Sequence, residues 1–260
     1  MDATHRTLIE RIARHDRAVL VVMLVAVPLA CWSWIVPMAR DMYGSMSGPS
    51  AWMMTDVWDG PHLLLLGAMW FVMMAGMMLP SAAPTLLLYG GAARHRSTNR
   101  HAAWWVYAMA SGYLLVWAGF SVGATLLQRL LSTLLLVSPM MKVTSPRLSG
   151  ALLIGAGVYQ LMPLKQTCLA SCSAPFVFLT RRWRDGAAGA FILGIEHGLF
   201  CMGCCWALML LLFAGGVMNL AVIGALTAFV LLERLVPLGQ RSVQLTGALL
   251  IVLGLWVLAV

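Results

Sequence analysis

The sequence predicts an all-α fold, a polytopic transmembrane helical bundle of about seven spans with its N-terminus in the cytoplasm. The first observation is the composition, since 61% of the 260 residues are hydrophobic and only 10% are charged, whereas soluble domains have roughly 45–50% and about 25%. The second is a series of apolar runs of roughly the 20 residues that cross a bilayer as a helix. The third is the one-sided distribution of basic residues between those runs.

Seven apolar runs separate the charged and turn-forming segments. In order, they cover residues 19–36, 62–89, 103–127, 148–164, 187–214, 217–232 and 243–260. Residues 130–137 either extend the third span or lie along the membrane interface. The first run follows a basic N-terminal segment, residues 1–17, and lacks the short apolar core and cleavage site of a signal peptide, so it is predicted to remain as an anchor. The gaps leave no room for a soluble domain, and residues 1–260 are taken as one transmembrane domain.

The basic residues predict the orientation, because Lys and Arg accumulate in short cytoplasmic segments. With the N-terminus inside, most of the 17 basic residues fall on the cytoplasmic side. These are Arg6, Arg11, Arg14, Arg17, Arg94, Arg96, Arg100, Lys165, Arg181, Arg182, Arg184, Arg234 and Arg241. Only Arg40, Arg129, Lys142 and Arg147 then lie outside. The pattern predicts a multi-pass protein of the bacterial inner (cytoplasmic) membrane that contacts the lipid bilayer, and Arg residues at helix ends argue against nucleic-acid binding.

The fifth predicted span carries the most distinctive group of side chains. His197, Cys201, Cys204 and Cys205 stand at positions i, i+4, i+7 and i+8, which an α-helix places within an arc of roughly 100°. Thiolate and imidazole ligands suit Cu(I) and Zn. Cys is also a small apolar residue that packs helices, but three Cys and one His on one face favour a metal centre near the middle of the bilayer. Glu196 lies on another face and is expected to meet a polar partner on a neighbouring helix.

Methionine residues form a second candidate site. Met69, Met73 and Met77 make an i, i+4, i+8 ladder in the second span, and thioethers are soft, neutral ligands that suit Cu(I). A Met stripe is more often core packing, so the Met-rich outer loop predicted at residues 37–61 adds weight. This loop and the residue after it contain Met38, Met42, Met46, Met53, Met54, Asp56, Asp59 and His62. Its M-x-x-x-M repeat is similar, in local pattern alone, to the copper-capture segments of eukaryotic high-affinity copper transporters.

Two further Cys residues lie in the cytoplasmic loop predicted after the fourth span. Cys168 and Cys172 would share a face if this segment is helical, and Lys165 nearby is expected to favour their thiolate forms. A reducing cytoplasm disfavours a permanent disulfide, which leaves a metal relay, redox chemistry or a structural pair. With the Met ladder and the Cys/His face, the pair completes a series of soft donors across the membrane.

Three long motifs carry a resemblance to a known family. They are M-W-x-x-M-M-A-x-M-M-L-P at residues 69–80, Y-Q-x-x-P-L-K-x-x-C at 159–168 and H-G-x-x-C-x-G-C-C-W at 197–206. Together with G-V-M-N-L at 216–220 and L-E-R at 232–234, they resemble a bacterial family of predicted metal-binding integral membrane proteins, over roughly residues 67–237. The resemblance implies metal binding within a membrane, and the N-terminal 60 residues lie outside it.

The leading interpretation is a membrane protein that binds, and transports or delivers, a soft transition metal, namely Cu(I), with zinc and haem as less favoured cofactors. The predicted ligands are His197, Cys201, Cys204, Cys205, Met69, Met73, Met77, Cys168 and Cys172. A copper chaperone or subunits of a membrane complex would be its protein partners. The alternatives are a non-enzymatic structural or assembly subunit and a membrane thiol-disulfide oxidoreductase, which the C-x-x-C of Cys201 and Cys204 suggests. An enzyme is the weaker interpretation, because no P-loop, G-x-S-x-G or H-E-x-x-H motif is present.

Overall fold

A computed structural model describes residues 3–44, 58–96, 102–138, 141–235 and 239–259. In chain order, its helices are α1 (Ala3–Met42), α2 (Gly60–Arg96), α3 (Ala102–Thr133), α4 (Pro146–Leu161), α5 (Pro163–Ser173), α6 (Pro175–Arg182), α7 (Gly186–Gly215), α8 (Leu220–Leu235) and α9 (Gly239–Ala259). Within these residues the only β-type pairing is one isolated bridge between Val137 and Val143. The predicted all-α class is confirmed.

Among the residues that the structure describes, four helices are long and apolar enough to cross a membrane. Their apolar parts are Val21–Met42, Gly60–Arg94, Ala103–Thr133 and Gly186–Gly215. Two of the other predicted spans, 148–164 and 217–232, form the 16-residue helices α4 and α8, and the last predicted span contributes the shorter apolar segment Val243–Ala259. A helix of that length reaches about 24 Å, less than the roughly 30 Å hydrocarbon core. The seven-span count and the cytoplasmic N-terminus therefore stay predictions.

Proline residues set the boundaries in the middle of the chain. The fourth predicted span ends at Leu161 rather than at residue 164, because Met162 is extended (ψ 142°) ahead of Pro163, and a residue before proline is disfavoured in the helical region. Pro146, Pro163 and Pro175 each open a helix, where the missing N–H is not needed. The segment predicted as a cytoplasmic loop is consequently two short helices, α5 and α6.

The Met-rich segment predicted as a loop at residues 37–61 begins inside a helix. Helix α1 continues to Met42, and Met38 and Met42 are both buried. Met46, Met53, Met54 and Asp56 lie outside the described residues. At the other end of the third predicted span, α3 runs on to Thr133, so that residues 130–133 extend the span.

Helix α7 lies at the centre of the fold and packs against α3, α4, α5 and α8. Glycines allow the closest approach, because a Cβ added at Gly194 would lie 2.0 Å from the Met109 carbonyl oxygen and one at Gly112 would lie 2.2 Å from the Phe191 carbonyl oxygen. Helix α7 ends at Gly215, and the next residue, Gly216, has a φ of 96° that is readily adopted only by glycine. The face of α7 that carries the Cys residues is thus held between neighbouring helices.

Candidate metal centre

The four side chains predicted on one face of α7 all point into the protein. His197 is 2% exposed, and Cys201, Cys204 and Cys205 are at most 1% exposed. The Cys204 Sγ lies 3.1 Å from the Cys201 carbonyl oxygen, and the Cys205 Sγ lies 3.0 Å from the same oxygen. The helical spacing therefore brings these donors together at the interior of the fold.

A fourth thiol reaches this group from a different helix. Cys172 of α5 is buried, and its side chain hydrogen-bonds with that of Cys204. Cys204 in turn contacts Cys205, and Cys205 contacts Cys201. The four thiols thus form one continuous chain of contacts, which we call the thiol chain: Cys172, Cys204, Cys205 and Cys201.

Cys168 of α5 lies close to the thiol chain, beside α7. Its Sγ would lie 3.0 Å from a Cβ added at Gly203 of α7, and its side chain is half-buried. Burial raises the pKa of Cys168, and hydrogen bonding to Cys204 together with burial raises the pKa of Cys172 well above the ordinary thiol value. The expectation that Lys165 favours their thiolate forms is therefore wrong.

Lys165 is occupied by a buried ion pair instead. Its Nζ lies 2.6 Å from one carboxylate oxygen of Glu233 and 2.8 Å from the other, and it also donates to the side-chain oxygen of Gln160. The Lys165 side chain is 0% exposed. Lys165 was predicted on the cytoplasmic side of the membrane, and the structure buries its side chain, which joins α4, α5 and α8.

Arg234 is the residue at this centre that sequence analysis missed. From α8, its Nη2 donates to the Cys204 Sγ at 2.8 Å and to the Cys201 carbonyl oxygen at 2.9 Å, with the Cys205 Sγ at 3.9 Å. Its Nη1 donates to the Ser81 Oγ of α2 at 3.0 Å. Arg234 was predicted on the cytoplasmic side of the membrane, with no sign that its side chain is buried, and it is 6% exposed. The motif L-E-R was the available signal, because a charged residue at an apolar helix is a functional candidate.

Tyr113 of α3 closes the other end of the thiol chain. Its hydroxyl lies 2.9 Å from the Cys201 Sγ and donates to the Met78 carbonyl oxygen at 2.9 Å. Helices α2, α3, α5, α7 and α8 therefore all contribute to one buried centre. Tyr113 carried no sequence signal, because an aromatic residue in a span is ordinarily packing.

His197 has a buried ring with neither nitrogen hydrogen-bonded. The ring lies between two aromatic side chains, with centroids 5.8 Å from Tyr113 and 5.2 Å from Phe178. A buried polar group without a partner costs about 1–3 kcal/mol. Such an arrangement is typical of a side chain kept for a ligand, since imidazole nitrogens are common metal ligands.

The thioether ladder Met69, Met73 and Met77 is fully buried in α2. Four residues beyond Met77 on the same helix stands Ser81, which accepts the hydrogen bond from Arg234. Residues four apart on a helix are neighbours on its surface, so the line of the ladder leads to the thiol chain over about 18 Å from Met69. Helix α2 itself contacts the centre through the Met78 carbonyl oxygen and the Ser81 hydroxyl.

Glu196 lies away from this centre, as its helical position predicted. Its carboxylate pairs with Arg182 of α6 at 3.1 Å and with Arg184 at 2.9 Å. Both arginine side chains are about half exposed. The expected polar partner on a neighbouring helix is confirmed, and Glu196 has a structural role between α6 and α7.

The donor chemistry of the centre suits a soft metal ion. Four thiols and one imidazole converge there, and thiolates select soft ions such as Cu(I), whereas zinc is usually held by four tetrahedral ligands. Among the described residues, no three His, Cys, Asp or Glu side chains already stand in the geometry of a metal site. The centre therefore offers sulfur and imidazole donors of the kind that a soft ion prefers.

Comparison with known proteins agrees with this chemistry. No curated protein and no solved structure matches the chain. A family model described as a copper chaperone, PpoB2, matches residues 67–257, which include α2, the thiol chain and Arg234. The match covers well over half of the 260 residues. It supports a function related to copper for this chain. This chain therefore belongs to the PpoB2 family of copper chaperones.

Proposed function

We propose that the protein is an integral membrane copper chaperone that holds Cu(I) on the thiol chain and delivers it to a partner protein. The observation that carries the proposal is the thiol chain itself, in which Cys172 of α5 meets Cys204, Cys205 and Cys201 of α7 beside Arg234. The oxygen atoms that contact these thiols are the Cys201 carbonyl and the Tyr113 hydroxyl, and neither is a carboxylate. A buried set of sulfur ligands suits a soft ion such as Cu(I).

The other predicted ligands have supporting places in this proposal. His197 adds an imidazole at the thiol chain, and the ladder Met69, Met73 and Met77 offers neutral sulfur donors that lead toward it. Cys168 is the only half-buried thiol beside the chain, which suits exchange of Cu(I) with a copper-binding partner or a subunit of a membrane complex. Copper is the cargo, and each residue contributes a donor atom rather than a catalytic group.

We also propose that the chain resides in the bacterial inner membrane with seven spans and a cytoplasmic N-terminus. Helix α9 supports this proposal, because Leu245 is 71% exposed and Trp256 is 63% exposed. Large apolar side chains on the outside of a helix are favoured by contact with lipid. Helix α9 packs along α4 through Gly150, Gly157 and Gly254, where a Cβ would meet backbone atoms within 3.0 Å. Small residues at such a contact are typical of helices paired within a bilayer.

The proposal is tested by copper binding with matched serine variants. The wild-type protein, purified in detergent under reducing conditions and loaded with Cu(I), is expected to retain copper through gel filtration. Cys204→Ser should lower the affinity for Cu(I) at least about tenfold, because Cys204 joins the two halves of the thiol chain. Cys31→Ser is the control, since Cys31 lies on α1 beside Gly76, and it should bind copper like the wild type.

A second candidate function is a membrane thiol-disulfide oxidoreductase, which the contact between Cys172 and Cys204 favours. The burial of both thiols argues against it, because reactive cysteines are accessible to their substrates. Counting free thiols by mass tagging of the same metal-free samples separates the two functions. A reversible loss of two thiols on mild oxidation, with no copper bound by the wild type, would contradict the chaperone proposal and support the oxidoreductase.

A further inference from the structure

Arg234 places one positive charge in the interior that no carboxylate balances. Its guanidinium is always protonated, and it takes part in no salt bridge among the described residues. The nearest acidic residue in sequence, Glu233, is paired with Lys165, so that those two charges cancel. The neighbours of Arg234 are the Cys204 and Cys205 thiols, the Cys201 carbonyl oxygen and the Ser81 hydroxyl.

A buried charge is stable only when an opposite charge or strong hydrogen bonds balance it. Thiol ligands lose their protons when they bind a metal, so two thiolates around one monovalent ion carry a net charge of −1. Beside Arg234, that complex is neutral overall. Two thiolates around a divalent ion are neutral by themselves, and they would leave the charge of Arg234 without a counterion.

A divalent ion could restore the balance only with more thiolates. Zinc in structural sites takes four tetrahedral ligands. Three of the four thiols lie on the single helix α7, which limits how they can surround one ion. Charge balance and ligand number therefore both favour a monovalent ion over a divalent one.

From this charge balance we infer that Arg234 is a specificity-determining residue, which makes the thiol chain prefer a monovalent soft cation, Cu(I), over a divalent one such as Zn(II). The inference rests on the proposed copper-binding function and adds the charge of the cargo to it. Arg234 acts through the thiolates it neutralises, and it is itself no metal ligand, because a guanidinium has no acceptor.

The test compares affinities for the two ions in variants that change only the local charge. Cu(I) affinity is measured by competition with a chromophoric Cu(I) chelator, and Zn(II) affinity by competition with a zinc indicator. Arg234→Met should lower the ratio of Cu(I) to Zn(II) affinity at least about tenfold, because it removes a full charge within a few ångströms of the ligands. Arg234→Lys retains the charge and should keep the ratio within about threefold of the wild type.

A second pair of variants leaves Arg234 in place. Ser81→Asp sets a carboxylate against the guanidinium, whose Nη1 is 3.0 Å from the Ser81 Oγ, and should lower the ratio in the same direction as Arg234→Met. Ser81→Asn is the neutral control of similar size and should leave the ratio unchanged. The melting temperature of each variant shows whether it folds. If Arg234→Met does not fold, the two Ser81 variants still test the inference.

The outcomes separate this inference from the proposed function. A wild type that binds no Cu(I) contradicts the chaperone proposal. A wild type that binds Cu(I), with Arg234→Met or Ser81→Asp keeping the wild-type ratio, overturns the role of Arg234 alone. An equal loss of affinity for both ions in these variants also overturns it, because a merely structural residue would affect both ions alike.

Discussion

His197 is a single residue whose burial destabilises the fold unless it binds something. Both ring nitrogens lack a hydrogen-bond partner between the rings of Tyr113 and Phe178. Tyr89 on α2 offers a comparison, because its hydroxyl is also buried without a partner but belongs to no cluster of soft donors. Comparing variants of His197 and Tyr89 therefore separates the effect of an unpartnered polar atom on stability from the effect of a ligand on copper binding.

Replacing each of them by phenylalanine gives the first residue-scale prediction. His197→Phe and Tyr89→Phe each remove a buried unpartnered polar group, and we expect each to raise the free energy of unfolding by about 1 kcal/mol. Only His197→Phe should weaken Cu(I) binding, by about tenfold or more. Thermal unfolding in detergent and Cu(I) competition measure the two quantities. Equal Cu(I) affinity in both variants would assign His197 to packing alone.

At the residue scale, the sequence predicted the common face of four side chains of α7, because all four lie on one helix. The spacing of His197, Cys201, Cys204 and Cys205 fixes their common face whatever surrounds them. Lys165 and Arg234 could not be recognised in this way. A basic residue at the end of an apolar helix has the same local pattern whether it extends to the membrane surface or pairs inside. Lys165 is buried because it pairs with Glu233, and Arg234 is buried because it contacts Cys204. Each partner lies far along the chain from the basic residue it holds.

At the element scale, the sequence predicted the existence of helices better than their ends. The runs of apolar residues located α2, α3 and α7, but the break at Met162 separated α4 from α5 and turned a predicted loop into a helix that carries Cys172. Hydropathy does not register such a break, because the apolar run continues through Leu164, and the less apolar residues that follow it give no sign of a further helix. The fourth thiol was therefore predicted at a separate inner site, whereas it contacts Cys204.

The contact between α3 and α7 gives the prediction at this scale. Gly194→Ala would put a methyl group 2.0 Å from the Met109 carbonyl oxygen, so the helices must move apart, and we expect a loss of about 3 kcal/mol of stability. Gly119→Ala on α3 is the control, because nothing lies within 4 Å of its added Cβ; it should stabilise the helix by up to about 1 kcal/mol. Melting temperatures test both, and equal values would contradict the close packing.

At the scale of the whole molecule, the open question is how many helices cross the bilayer. Four helices meet the requirements of length and composition, whereas α4, α8 and α9 are shorter or less uniformly apolar. The two counts differ in a way that can be measured. Seven spans put the two termini on opposite sides of the membrane, and four put them on the same side.

Reporter fusions in a bacterial host distinguish these topologies. We expect a fluorescent protein fused at the N-terminus to fluoresce, because it folds in the cytoplasm, and alkaline phosphatase fused after the C-terminus to be active, because it requires the oxidising side. Phosphatase fused after Ser173 should be inactive, since the seven-span topology places α5 on the cytoplasmic side. An inactive C-terminal phosphatase would contradict seven spans and favour an even number.

The origin of the thiol chain in two helices, with its counter-charge on a third, links ligand assembly to folding. A synthetic peptide of α7 would carry three of the sulfur atoms but neither the fourth nor the guanidinium, so it cannot reproduce the centre. Melting the protein would scatter these groups along more than sixty residues of chain. An ion that binds the folded protein through these groups must therefore raise the melting temperature of the protein, and the increase grows with the affinity for the ion.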